Sequence, residues 1–99
     1  MIYAILCEDR DNSLALRQAH RAAHLERLKD LKGRGRLVLA GPFPAVDTED
    51  PGDAGHTGSL IVAEFGSLSA ARQWIEADPF VKNGVYKNVV VKPFVKVLP

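Results

Sequence analysis

His24 is the residue whose type and placement most invite chemistry. An imidazole ordinarily titrates near neutral pH, so it can take up a proton and return it. On a helix advancing about 100° per residue, Leu14, Leu25 and Leu28 fall within about 60° of one another, and Leu16 and Leu31 broaden the stripe. His24 lies about 35° from the mean direction of these leucines and so shares their inward face. Arg17, His20 and Arg21 occupy the same broad side in the helix's first half, whereas Leu25, Leu28 and Leu31 fill its second half. That division predicts a polar pocket at one end of the helix, with His24 inside it and Arg17, His20 or Arg21 near its mouth. A hydrogen-bonded core histidine flanked by snorkelling arginines gives the same pattern, and pattern alone favours this plainer arrangement.

Asp78 stands before Pro79, which disfavours the α conformation at Asp78 and predicts a helix end there. A carboxylate at a helix C-terminus meets the negative end of the dipole and needs a cation or a donor beside it. If it accepts a hydrogen bond from His24, it fixes the ring's tautomer and makes a dyad for moving a proton. An exposed turn residue is the plainer alternative, and the spacing in the sequence decides neither.

Other constellations point to little. His20 and His24 are one helical turn apart, which suits two ligands of one metal ion. The segment H-R-A-A-H lacks the glutamate of the metalloprotease motif, and beyond His56 or a carboxylate no third ligand is evident, so no metal is expected. Cys7 lies mid-strand without a catalytic motif and reads as a buried, inert thiol. Gly33, Gly35 and Gly41 lack the spacing and the lysine of a phosphate loop, so no nucleotide is expected either.

The elements that must position these residues follow from hydrophobic period and punctuation. Residues 2–8 form a buried first strand, and residues 14–31 a helix capped by Asn12 or Ser13 and stopped by Gly33 and Gly35. Arg36 to Ala40 is a second strand ended by Gly41-Pro42, and a long acidic loop from Pro44 to Gly58 suits a lid or a binding edge. Ser59 to Phe65 is a third strand. Ser67 caps a second helix to about Ala77, with Leu68, Ala71, Trp74 and Ile75 turned inward. After a turn at Asn83-Gly84, residues 89–97 form a last strand whose Pro93 places it at a sheet edge.

The order β-α-β-β-α-β predicts an α+β, ferredoxin-like fold: a four-stranded antiparallel sheet with two helices on one face. The last strand is apolar on both sides, so the other face needs cover, and a second copy of the chain packing sheet to sheet provides it.

The 99 residues suffice for one domain, spanning 1–99. With 46% hydrophobic and 25% charged residues, disorder and coiled coil are disfavoured. Thirteen cations face twelve anions, for a net charge of +1, without the basic surplus that a nucleic-acid partner requires. No apolar run is long enough to span a bilayer and no leader pattern is present, which with a single cysteine predicts an unprocessed cytoplasmic protein.

Taken together, the opening IYAILCEDRDNSLALR, the segment R-A-A-H-L-E-R-L, R-L-V-L-A-G-P at 36–42, D-P-G-D-A-G-H-T-G-S at 50–59, A-D-P-F at 77–80 and G-V-Y-K-N-V-V-V-K-P-F resemble the YciI family along almost the whole chain. The resemblance implies a homodimer of the α+β barrel type. It also implies a pocket centred on His24 and Asp78, lined by Ser59 and by Gly41 and Pro42. The family is similar to muconolactone isomerase-like proteins, and some relatives act as dehydrochlorinases on chlorinated hydroxyquinols. His56 stands where the family pattern leads one to expect an aromatic residue such as phenylalanine. The expectation that results is a cofactor-independent lyase or isomerase acting on a small polar molecule, with His24 moving a proton, Asp78 orienting it, and Arg17 or Arg21 holding an anionic group. The alternative is a non-catalytic dimer that binds a metabolite.

Overall fold

The computed structural model describes residues 1–99. Its first strand, β1 (Ile2–Asp9), shows the period of two that a strand covered on one side requires. Tyr3, Ile5, Cys7 and Asp9 are buried, and Leu6 and Glu8 are exposed. It is followed by α1 (Leu14–Gly33), β2 (Leu37–Pro44), a short 3-10 turn at Gly52–Ala54, β3 (His56–Glu64), α2 (Leu68–Glu76), α3 (Pro79–Lys82) and β4 (Tyr86–Phe94). The four strands form one antiparallel sheet in the order β2-β3-β1-β4, the arrangement that the sequence predicts. Ile5 stands opposite Ile61 on one side and Val91 on the other, which fixes the register at the centre of the core. The three prolines within strands fall in the two edge strands, Pro42 and Pro44 in β2 and Pro93 in β4, where a missing N–H breaks no ladder inside the sheet.

Helix α1 buries Arg17 and His24 in its polar first part and Leu28 and Leu31 in its second, the division expected of it. Leu16 departs from that expectation and is exposed, because its direction lies nearly half a turn from the cluster of Leu14, Leu25 and Leu28. The helix stops where Arg34 N donates back to Asp30 O and Gly35 takes a left-handed φ of +70°. Ser67 caps α2 through its hydroxyl, which accepts from Ala70 N at 3.0 Å.

Several expected boundaries move. β2 continues through Gly41-Pro42 to Pro44, and β3 begins at His56, so the irregular acidic segment is shorter than the sequence suggests. β4 starts at Tyr86 and ends at Phe94 instead of occupying residues 89–97. Where a turn alone is expected after Pro79, the chain forms α3, so three helices cover the sheet instead of two. The proline that ends α2 also starts α3, since its fixed φ and missing N–H suit a first helical position.

The core between sheet and helices centres on Ile5, Leu31, Ile61, Ala63, Ile75, Phe80 and Val85. The opposite face of the sheet is bare and apolar: Leu6 is 41% exposed, Leu39 49%, Val90 38% and Phe94 45%. No helix is long and apolar enough to cross a membrane.

Candidate active site

Nδ1 of His24, on the inner side of α1, lies 2.8 Å from Oδ1 of Asp78, at the junction of α2 and α3. Asp78 is 0% exposed. Its dipole position differs from the expected one: Asp78 is the N-cap of α3, and its Oδ1 accepts from Phe80 N at 2.9 Å. The positive end of α3 therefore meets the carboxylate that the negative end of α2 would oppose. Oδ2 accepts from Nη1 of Arg27 at 2.9 Å. Arg27 in turn donates Nη2 to Trp74 O at 2.7 Å and lies 4.3 Å over the Trp74 ring. Asp78 thus has a hydrogen-bond partner for each oxygen and a cation beside it, which is how a carboxylate is retained in an interior.

The His24 ring stacks on Phe80, with centroids 4.1 Å apart and planes at 11°. Residues on either side of Pro79 thus hold this ring, one by its edge and one by its face. An ionised Asp78 accepts hydrogen at Nδ1, so in the neutral ring Nε2 carries the lone pair. That nitrogen has no protein partner, and His24 lines a cavity of about 650 Å³. The volume falls within the range of about 300–1,000 Å³ typical of ligand sites.

Leu25, Leu28, Ile61 and Phe80 supply apolar wall, and Gly41 and Pro42 of β2 close one side. Ser59 and Arg17 form the polar floor, and Arg21, exposed on α1, stands among the lining residues with Glu49, Asp50 and Asp53 of the acidic segment. Two placements differ from the expected ones. Arg17 is 8% exposed, so it is no mouth residue: its Nε and Nη2 donate to Asp9, and Nη2 reaches Gly58 O at 2.9 Å and Ser59 Oγ at 2.8 Å. His20 is half-buried and does not line the cavity, so it and His24 do not face one space. No three potential metal-ligating side chains are grouped anywhere.

The floor is fixed by backbone as well as by side chains. A Cβ on Gly58 would meet Cys7 O at 2.0 Å, so only glycine permits this approach of β3 to β1, and its carbonyl then receives Arg17. Tyr86 Oη lies 3.0 Å from Ser59 Oγ. Burial pushes the Tyr86 phenol well above its ordinary range and the Cys7 thiol up to about 12, so both stay protonated at neutral pH. His56 is shifted the other way, first by burial and then by the positive charge of Arg17, and its Nδ1 is enclosed with no hydrogen-bond partner.

Sequence reasoning missed Arg27, Phe80, Asp9 and Tyr86. Arg27 follows His24 by three positions and so shares its side of the helix, a signal available from spacing. Phe80 stands inside the quoted A-D-P-F segment. For Asp9 and Tyr86 the sequence carries no such signal, because packing of α1 on the sheet and contact across strands bring them to Arg17 and Ser59.

The model of the YCII-related domain matches residues 1–95. The chain belongs to this family. The proteins called YciI of Escherichia coli O6:H1 (strain CFT073) and of Shigella flexneri are each 56% identical to it over 97 residues, covering 98% of this chain and 99% of theirs. A Haemophilus influenzae protein is 50% identical over the same length. Among solved structures, the 5-chloro-2-hydroxyhydroquinone dehydrochlorinase of Burkholderia phenoliruptrix AC1100, in complex with 2,5-dihydroxybenzoquinone, superposes with a TM-score of 0.84. It is 31% identical, with 96% of this chain and 94% of that one covered. The fold of this family member is therefore shared with an enzyme that holds a small cyclic molecule.

Proposed function

We propose that the cavity carries out a cofactor-independent proton transfer, of the lyase or isomerase type, on a small, polar, cyclic metabolite. His24 takes and returns the proton at Nε2. Asp78, which does not reach the cavity, is a positioning residue that holds the ring's tautomer and balances the charge it acquires. One observation carries the reading: an imidazole fixed from behind by an enclosed carboxylate at 2.8 Å, with its second nitrogen free beside a partly apolar cavity. Positioned acid–base catalysis accelerates a reaction by about 10²- to 10⁴-fold, enough for removing a proton activated by a neighbouring carbonyl. The likeness to a dehydrochlorinase supports the assignment to an enzyme and to this class of chemistry. Arg21, the cation left exposed beside the cavity, is the residue for an anionic substituent.

The working unit in this reading is a cytoplasmic homodimer, its two sheets packed through Leu6, Leu39, Val90 and Phe94. Sedimentation at twice the mass of the chain, reverting to the single mass in Leu6→Lys, is the expected behaviour.

The deciding experiment screens metabolites for compounds that raise the melting temperature, then measures turnover of the hits by the wild type and by His24→Asn. Loss of turnover with the fold retained supports the assignment. Undiminished turnover removes His24 as the base, and binding without turnover by the wild type favours the alternative of a non-catalytic metabolite-binding dimer.

A further inference from the structure

Ser59 Oγ sits where two donors converge. Arg17 Nη2 donates to it at 2.8 Å, and Tyr86 Oη approaches at 3.0 Å. A hydroxyl oxygen has two lone pairs and one hydrogen. The Tyr86 contact runs from phenol to serine, because a phenolic O–H is more acidic, and so a stronger donor, than an aliphatic hydroxyl. Ser59 Oγ therefore accepts from both Arg17 and Tyr86. Both Ser59 lone pairs are then occupied, and its own hydrogen has no protein acceptor. Ser59 is 4% exposed and lines the same cavity as His24.

We propose that Ser59 is the cavity's hydrogen-bond donor to an acceptor oxygen of the substrate, so that the substrate is a carbonyl compound whose mobile proton lies on the carbon beside that carbonyl. This rests on the reading of His24 as the base and names the substrate class for it. In the reaction, the C–H bond α to the carbonyl of a β,γ-unsaturated compound breaks and its proton passes to His24 Nε2. The electron pair left on carbon forms a C=C bond as the carbonyl pair moves onto oxygen, giving a conjugated enolate. Return of the proton to the γ-carbon restores the carbonyl, completes the isomerisation to the α,β-unsaturated compound and leaves His24 neutral. Nothing else is consumed. The oxygen gains charge during the first step, and a serine hydroxyl polarised by an adjacent guanidinium is matched to that charge. The Arg17 charge is partly offset by Asp9, so it polarises Ser59 without itself being available as a ligand for an anionic group.

Neutron diffraction from hydrogen–deuterium-exchanged crystals reads the orientation directly. Deuterium on Ser59 Oγ directed into the cavity supports the proposal, and deuterium directed at Tyr86 Oη overturns it. A calorimetric titration uses 2,5-dihydroxybenzoquinone as the probe, since it presents two carbonyl oxygens on a small ring. Ser59→Ala is expected to bind it about tenfold more weakly than the wild type, the loss of one polarised hydrogen bond. Tyr86→Phe is expected to weaken binding by a smaller factor, because Ser59 loses one of its polarising donors. Equal affinity in wild type and Ser59→Ala, including no binding by either, overturns the proposal, as does tighter binding by Tyr86→Phe, which would mean the hydroxyl had been spent on Tyr86. These readouts involve no turnover, so an active His24→Asn protein would sink the acid–base reading and leave the Ser59 result standing.

Discussion

His24 and Asp78 meet at 2.8 Å across the interior, yet only the histidine faces the cavity, so the carboxylate acts on any bound molecule through the ring alone. This separates orientation from contact. Replacing Asp78 should alter which nitrogen of His24 carries hydrogen before it alters anything the substrate touches.

Asp78→Asn is the sharpest form of that test. An asparagine can still receive Phe80 N, but it can also turn its amide N–H toward Nδ1, which moves the ring's hydrogen to Nε2 and removes the lone pair. Turnover should fall by about 10³- to 10⁴-fold, the effect expected when an imidazole base is held in the wrong tautomer. Nitrogen-15 chemical shifts of the neutral ring provide a check that needs no substrate. The wild type should show Nδ1 protonated and the variant Nε2, and an Nε2-protonated wild type would refute the geometry.

Arg27 should matter for stability. It is the cation beside a fully enclosed carboxylate and also bonds Trp74 O, so Arg27→Met leaves Asp78 with its charge less well satisfied. A loss of about 2 kcal/mol is expected, in the range for hydrogen bonds to charged groups, seen as a lower urea midpoint. Arg27→Lys should recover only part of it, because a single ammonium cannot match the planar fork that spans Asp78 and the Trp74 carbonyl.

The elements were legible in the sequence where a period was present, and less so where contacts create the structure. The apolar run of β1 and the leucine positions of α1 point to a ferredoxin-like sheet and to an inward His24. α3 is hidden because four residues that begin with a proline carry no period, although Asp78 followed by Pro79 is itself a helix-start pattern. Without α3 in view, Asp78 falls at the C-terminal dipole of α2 and not at the N-terminus that it caps. The charge of Arg17 suggests a place at the mouth, whereas Asp9, invisible as its partner from spacing, draws it inside. His20 and His24 looked like companions from spacing alone, and the packing of α1 turned only one of them inward.

Cys7 should be chemically silent in the native state. Its thiol is enclosed and held up to about 12, so iodoacetamide at neutral pH should react only as fast as the protein opens, and at once in urea. The same shift has a consequence for stability. The unfolded chain's thiol ionises near 9.0 and the native one only near 12, so stability is full below the first value and erodes as pH rises toward the second. Tyr86, shifted upward by burial, adds loss in the same direction above its ordinary 10.0. A urea midpoint that stays level through this alkaline window, or alkylation of the native protein at the rate of an exposed thiol, would contradict the burial of this pair.

His56 predicts a slope on the acid side. Burial and the Arg17 charge hold its proton affinity below the ordinary value of 6.5, so as pH falls past that value the unfolded chain takes up a proton that the native ring refuses. Its contribution is intact above that pH and declines below it. The enclosed Nδ1 has no partner, a further cost that an apolar ring of similar shape would not bear. His56→Phe should therefore flatten the dependence of the urea midpoint on pH just below neutrality and raise the midpoint at neutral pH by an amount worth about 1 kcal/mol. A steeper acid slope in the variant, or a lower midpoint at neutral pH, would show that the imidazole is bonded and that its nitrogen is not an orphan.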